Sequence, residues 1–337
     1  MNRLRFAPLL ALALVLSFSL SACAAASRTF FAMDTVMTVS APLAGDALLA
    51  ACEEEVRRLE ALFSVTEPDS EIARLNETGE AALSDDTARV LGFALEEAAL
   101  TQGALDVTLY PVVRAWGFTT GDYRVPDDDE LAALLARVGW TRVELDGGTV
   151  RVPEGTMVDL GSVAKGYASD RLAALLREGG VQSALIDLGG NIYGLGAKAD
   201  GSPWRIGVRD PKDPSGLAGA LSVTDKAVVT SGSYERNFTA PDGTVYGHIF
   251  DPATGRPAEN GLISVTVVGG SGLECDALST ALYVMGPDRA CALLETLDGV
   301  EAVLIDDQGA FWITEGLKNA FTPMGAYAWA TINWIQK

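Results

Sequence analysis

Ala184-Leu185-Ile186-Asp187-Leu188-Gly189-Gly190-Asn191-Ile192-Tyr193-Gly194-Leu195-Gly196 is the stretch that settles the fold class. Its first five residues read as an apolar strand. The glycines that follow invite comparison with a dinucleotide-binding turn, but their spacing does not fit GxGxxG and no helical pattern comes after them. Tight turns or a close backbone approach explain them better, so a nicotinamide-binding fold is set aside. Further strands are read at 143–145, 149–152, 204–208, 220–223 and 263–268, with a first strand at Thr35–Ser40 and a closing hairpin at 300–305 and 310–314. Helices are read at Asp46–Phe63, with Leu48, Cys52, Val56, Leu59 and Phe63 on one face, and at 86–102, 162–177, 276–285 and 288–297. Asp127-Asp128-Asp129-Glu130 opens another at 131–138, where acids favour the positive end of the helix; this run is read as a cap, not a metal site. Strands and helices do not alternate strictly. The expected class is therefore α+β: a single large domain of mixed sheets flanked by helices.

The ends, charge and cysteines bound the rest. Arg3 and Arg5 precede an apolar run over 6–20, too short for a comfortable membrane span and suited to a secretion signal. It ends in Leu20-Ser21-Ala22-Cys23, the form of a bacterial lipobox, in which Cys23 takes lipid and becomes the mature N-terminus. An ordinary signal peptide with Cys23 nearby by chance is the alternative. The expectation is a lipoprotein signal peptide over 1–22 and a mature domain over 23–337, held to the cell membrane by lipid and facing the periplasm or cell exterior. Cys52, Cys275 and Cys291 then remain and make no paired framework. No CxxC or Cys/His cluster suggests zinc. With 25 Lys and Arg against 45 Asp and Glu, the net charge is -20, which argues against nucleic acid as partner. A phosphate-rich ligand would need local positive charge or a metal. Asn76-Glu77-Thr78 and Asn237-Phe238-Thr239 match the glycosylation pattern and are read as chance.

Three segments carry chemistry. Asp276 and Thr280 are four residues apart, so on a helix both oxygens leave from one face. A carboxylate plus a hydroxyl is hard-oxygen chemistry, suited to magnesium. The alternative is a helix N-cap with a threonine bonding back to its own helix. Asp159-Leu160-Gly161-Ser162-Val163-Ala164-Lys165-Gly166 places a glycine turn before a helix start, with free N–H groups at Ser162 and a charge at Lys165 one turn in. That makes a plausible phosphate cradle, although capping by Asp159 or Ser162 would also explain it. His248, the only histidine, lies in Tyr246-Gly247-His248-Ile249-Phe250-Asp251-Pro252 and is read either as a proton acceptor or as a structural histidine.

Taken in order, these segments resemble one family, the ApbE flavin transferases, or FAD:protein FMN transferases. The resemblance also takes in Ala32-Met33-Asp34-Thr35, the run from Phe63 to Glu71 with Arg74-Leu75-Asn76, Gly103-Ala104-Leu105-Asp106-Val107-Thr108, Trp116-Gly117-Phe118, Gly189-Gly190-Asn191 and Thr230-Ser231-Gly232-Ser233-Tyr234-Glu235-Arg236. It implies an enzyme that binds FAD with magnesium on its diphosphate, transfers FMN to a threonine of a membrane redox subunit and releases AMP. It further implies that Met33 touches the flavin and that Ala104, Leu105 and Asp106 line the FAD site. Asp159, Lys165 and Ile249 would lie beside it. Magnesium would be held by Asp276, Thr280 and an oxygen near Ser162, and His248 would act on the acceptor hydroxyl. Two positions depart from the pattern: Asp34 stands where many members have glycine, and Thr66 where many have an aromatic residue that would pack on FAD. The other readings are an FAD pyrophosphatase giving free FMN and AMP, and a non-enzymatic FAD-binding lipoprotein.

Overall fold

Nine strands form the central sheet, and their order across it is their order along the chain. They are Ser27–Ala32, Thr35–Ser40, Ala184–Leu188, Asn191–Leu195, Lys226–Ser231, Leu262–Gly269, Glu301–Asp306, Phe311–Thr314 and Ile332–Ile335. Neighbouring strands are antiparallel except the last pair, which is parallel. The computed structural model describes residues 26–337; Cys23 and the expected signal peptide lie outside the described residues. Among the described residues, no helix is long and apolar enough to cross a membrane.

Everything else is inserted between consecutive strands. Helices Asp46–Phe63, Ala164–Glu178 and Gly272–Leu294 pack on one face of the sheet. A small sheet of Trp204–Arg209, Leu217–Val223 and Phe321–Pro323 covers the other. The period of two along each strand makes this possible. Ala302 and Leu304 join the helix-side core, while Val303 and Ile305 join the core under the small sheet. Ala227 and Val229 against Val228 repeat the pattern.

Thr35–Ser40, Asp46–Phe63 and Ala184–Leu188 have the bounds their patterns predict. On the Asp46–Phe63 helix the inner face begins at Leu49, not Leu48, which is half-buried. Asp127 caps the helix Asp128–Leu135 by accepting from the Glu130 N–H at 2.8 Å. The helices expected at 276–285 and 288–297 form one element, Gly272–Leu294, kinked where Gly286 takes φ +74° before Pro287. Residues 191–195 form a strand that sequence pattern does not disclose, because Gly194 interrupts it. The Trp204 ring lies against that glycine, and a Cβ there would come within 2.9 Å of it.

Gly189 and Gly190 have φ +71° and +93° and make a two-residue hairpin turn. A Cβ on Gly189 would also fall 2.3 Å from Thr35 Oγ1, so tight turn and close approach both hold. Met33 and Asp34, at φ +47° and +59°, make a second such turn between the first two strands. Aspartate is among the few residues that tolerate this region, which is how Asp34 stands in for glycine. Strand register then gathers the site. With Met37 opposite Leu188 and Val229 opposite Asn191, the Met33–Asp34 turn, the Gly189–Asn191 turn and Ser231 all lie at one end of the sheet.

Candidate active site

The helices Ala164–Glu178 and Gly272–Leu294 cross with almost no space between them. A Cβ on Gly166 would sit 2.2 Å from Gly272 O and 2.6 Å from Asp276 Cβ. The missing side chains let the Gly166 N–H donate to Asp276 Oδ2 at 2.8 Å. Gly166 is the third residue of its helix, whose N-cap, Val163, has no side-chain cap of its own. Asp276, 110 residues away, thus caps that helix and meets its positive end. The helix begins at Ala164 rather than at the expected Ser162, and a carboxylate lies at its positive end.

Asp276 is 5% exposed, and burial raises its pKa. The nearby Lys165 charge, the Gly166 N–H and the Asn191 amide act against that rise. Nor is Asp276 the N-cap of its own helix; Ser271 holds that place by accepting from the Glu274 N–H. One turn on, Thr280 is half-buried. The residue that bonds back is Ser279, donating to Asp276 O at 2.9 Å, and Thr280 Oγ1 instead lies 3.5 Å from Ser231 Oγ. Carboxylate and hydroxyl therefore share one face, as the i, i+4 spacing predicts.

Asp159 is set by two neighbours in the fold. Its N–H donates to Val107 O at 2.8 Å, and the Asn76 amide clamps Val158 through both of its backbone polar groups, at 2.8 and 2.6 Å. Burial raises the Asp159 pKa, opposed by the Gly161 N–H, Lys165 and Arg236. His248 stands close by. Its Nδ1 lies 3.0 Å from Arg236 O, a group that only accepts, so Nδ1 carries the proton and Nε2 keeps a free lone pair. The half-buried ring has its pKa pushed down to about 4, by burial first and then by the Lys165 and Arg236 charges. The imidazole is therefore neutral at pH 7 with its Nε2 lone pair unprotonated, while the same burial and charges weaken it as a base. Lys165, on the first turn of the helix that Asp276 caps, lies near enough for its charge to act on Asp159, Asp276 and His248.

The remaining predicted residues are placed as follows. The Met33 N–H donates to Glu60 Oε1 at 2.6 Å, fixing its turn to the first helix. Ala104 and Leu105 are buried. Asp106 is committed to its own loops: it accepts from Thr108 N and Oγ1 and from Trp140 N, at 2.8, 2.6 and 3.0 Å. Ile249 is buried beside His248. Ser162 lies half-buried just before the helix that Asp276 caps. Thr66 is exposed on a turn organised by Ser64 Oγ, which accepts from the Thr66 and Glu67 N–H groups. A cavity of about 440 Å³ runs along Gly247 and Ile249 to Tyr283 and includes neither Asp159 nor Asp276.

Sequence reasoning gave no role to Arg236, Ser231, Gly166 or Asn191. Arg236 anchors His248 through its carbonyl, while its guanidinium donates to Phe118 O. Gly166 permits the helix crossing. Only the motif neighbourhood of these residues was legible; their partners are distant in sequence.

The sequence profile of the ApbE family matches residues 33–304. The chain belongs to the ApbE family. It is 39% identical over 241 residues to a FAD:protein FMN transferase of Vibrio cholerae, covering 69% of this chain and 72% of that one. A FAD:protein FMN transferase of Treponema pallidum is 38% identical over 271 residues, covering 74% of each. Among solved structures, the ApbE protein of Thermotoga maritima superimposes with a TM-score of 0.81 at 31% identity, over 88% of this chain and 99% of the other. The flavin transferase ApbE of Vibrio cholerae gives 0.78 at 32% identity, with the same coverage. These matches bear out the α+β ApbE architecture expected from the sequence.

Among the described residues, no three His, Cys, Asp or Glu side chains gather as a metal centre. The residues present nonetheless suit a hard cation that keeps few protein ligands. Asp276 is a buried carboxylate with one hydrogen-bonded N–H on one oxygen, Thr280 offers a hydroxyl, and beside them the Asn191 side chain has no hydrogen-bond partner among the described residues. Buried charge so lightly partnered calls for a counter-charge.

Proposed function

We propose that this ApbE-family chain is a magnesium-dependent FAD:protein FMN transferase, moving FMN from FAD to a threonine of a membrane redox protein and releasing AMP. The observation that carries this reading is the buried Asp276 carboxylate, held on one oxygen by the Gly166 N–H, with the Thr280 hydroxyl on the same helix face. His248 Nε2 takes the proton of the threonine hydroxyl, a poor nucleophile without a base. The hydroxyl oxygen bonds to the FMN phosphorus as the bond to AMP breaks, and the proton leaves through the imidazole. Asp276 and Thr280, with an oxygen near Ser162, would hold magnesium, which when bound neutralises the diphosphate and stabilises the charge on the departing AMP. Lys165 and Arg236 supply local positive charge in a chain of net charge -20.

Thr66 favours a second product. It lies exposed and has no ring to stack on FAD, and packed against the flavin it would leave the site wetter than an aromatic would. Free FMN from hydrolysis should accompany transfer. The test is to incubate the protein with FAD and magnesium, with and without a threonine-containing acceptor, and follow AMP and protein-bound flavin. Flavin should become covalently bound to the acceptor, with a lesser yield of free FMN that falls in Thr66→Tyr. Free FMN alone with every acceptor would replace transferase by pyrophosphatase, and no AMP at all would leave a flavin-binding protein.

We also propose that Cys23 is lipidated and holds the enzyme at the cell membrane, on the strength of Leu20-Ser21-Ala22-Cys23 closing an apolar run. Cys23→Ala should yield soluble or unprocessed protein. Normal processing with unchanged membrane retention would refute the anchor.

A further inference from the structure

Asn191 buries an amide among the apolar side chains of the helix-side core. It is 2% exposed, and among the described residues neither Nδ2 nor Oδ1 has a hydrogen-bond partner. Strand alternation places it on the helix side of the sheet, in line with Tyr193 and Leu195, both members of the helix-side core. An apolar side chain would continue that row, whereas an amide there is desolvated without return. Its surroundings show where it points. Its strand packs on the Gly272–Leu294 helix that carries Asp276 and Thr280, and Ser231, two residues beyond its cross-strand partner Val229, lies 3.5 Å from Thr280, yet the amide makes no hydrogen bond there. The Gly189–Gly190 turn immediately before it fixes its place, wedged against Thr35.

We propose that Asn191 is a positioning residue of the metal and diphosphate site. With the cation bound, its Nδ2 would donate to Asp276 and aim the carboxylate, and its Oδ1 would face the cation or a water on it; without the cation the amide stays unpaired. The amide suits this double task because it carries a donor and an acceptor on one rigid plane. Asp276 has one oxygen held by the Gly166 N–H, so the amide orients the other. The inference rests on the reading of Asp276 and Thr280 as magnesium ligands and adds a residue that neither their spacing nor their chemistry reveals.

The test uses Asn191→Leu and Asn191→Ala in the full chain, with two readouts independent of turnover. The first is melting temperature in excess chelator. The second is binding of manganese(II), used as the probe for magnesium and followed through the EPR signal of the free ion. At least one variant should melt at or above the wild-type temperature without metal, because an unpartnered amide has been removed. Both should bind manganese about 10- to 100-fold more weakly, the usual cost of losing a group that orients a metal ligand. Wild-type manganese affinity in a folded variant would overturn the inference. So would lower metal-free stability in both variants, which would make Asn191 a structural residue. If wild-type protein binds no manganese, or Asp276→Asn binds it equally well, the metal site beneath the inference falls with it.

Discussion

Asp276→Asn should abolish FAD cleavage, by roughly 10³-fold or more, while the protein stays folded. The change removes one negative charge and almost no volume. The remaining Oδ1 can still accept from the Gly166 N–H, so the cap that Asp276 places on the Ala164–Glu178 helix survives. What is lost is the anionic oxygen that would bind the cation, and a metal acting on a diphosphate supplies several kcal/mol of transition-state stabilisation. Asp276→Ala should be worse in two ways, because it leaves the buried Gly166 N–H without its acceptor as well. Comparing the two by calorimetry and AMP release separates the cap from the ligand. Activity of either variant near wild type, or wild-type activity in excess chelator, would remove magnesium from the reaction. The pH dependence has a definite sign. Burial raises the Asp276 pKa, so as pH falls the carboxylate protonates above the ordinary range and metal binding fails there first.

His248→Ala should keep FAD binding and lose about 10²- to 10⁴-fold in transfer, the usual contribution of a general base. The chain contains one histidine, so its imidazole can be titrated by NMR without ambiguity in protein free of a histidine tag. The midpoint should fall near 4 in the ligand-free enzyme, well below the ordinary value of 6.5. A base works in its deprotonated form. His248 is then competent from about pH 5 upward, and the transfer rate should show no histidine inflection between pH 6 and 7. A midpoint at 6.5 would show that the ring is not buried beside Lys165 and Arg236. Transfer at the wild-type rate in His248→Ala would assign the proton to another group.

The sequence alone determined the strongest local elements of this protein. Asp46–Phe63 could be read because its apolar residues recur at helical spacing, and Ala184–Leu188 because five apolar-rich residues end at a glycine pair. The same glycine pair excluded a dinucleotide-binding turn, since glycine spacing and the absence of a following helix are both local facts. Asp276 and Thr280 were visible as a pair because one turn of helix suffices to place them. The ordered motifs pointed to the family for the same reason: each is short and contiguous.

Only the tertiary structure decided what those residues do to one another. Asp276 reads as a possible cap of its own helix, yet it caps a different one, because Gly166 and Gly272 let two helices touch. The helix start reads as Ser162, yet it lies at Ala164 with that carboxylate at its positive end. Nothing local to Asp106 shows that one of its oxygens accepts from the Trp140 N–H, 34 residues on. Asn191 carried no signal beyond its place after two glycines, and its unpartnered amide emerges only once the sheet has put it beside Asp276. Local spacing fixes which face a side chain leaves from. Burial, charge environment and the choice of hydrogen-bond partner are set by chain segments distant in sequence, 110 residues apart for Gly166 and Asp276, brought together when the sheet and helix layers close.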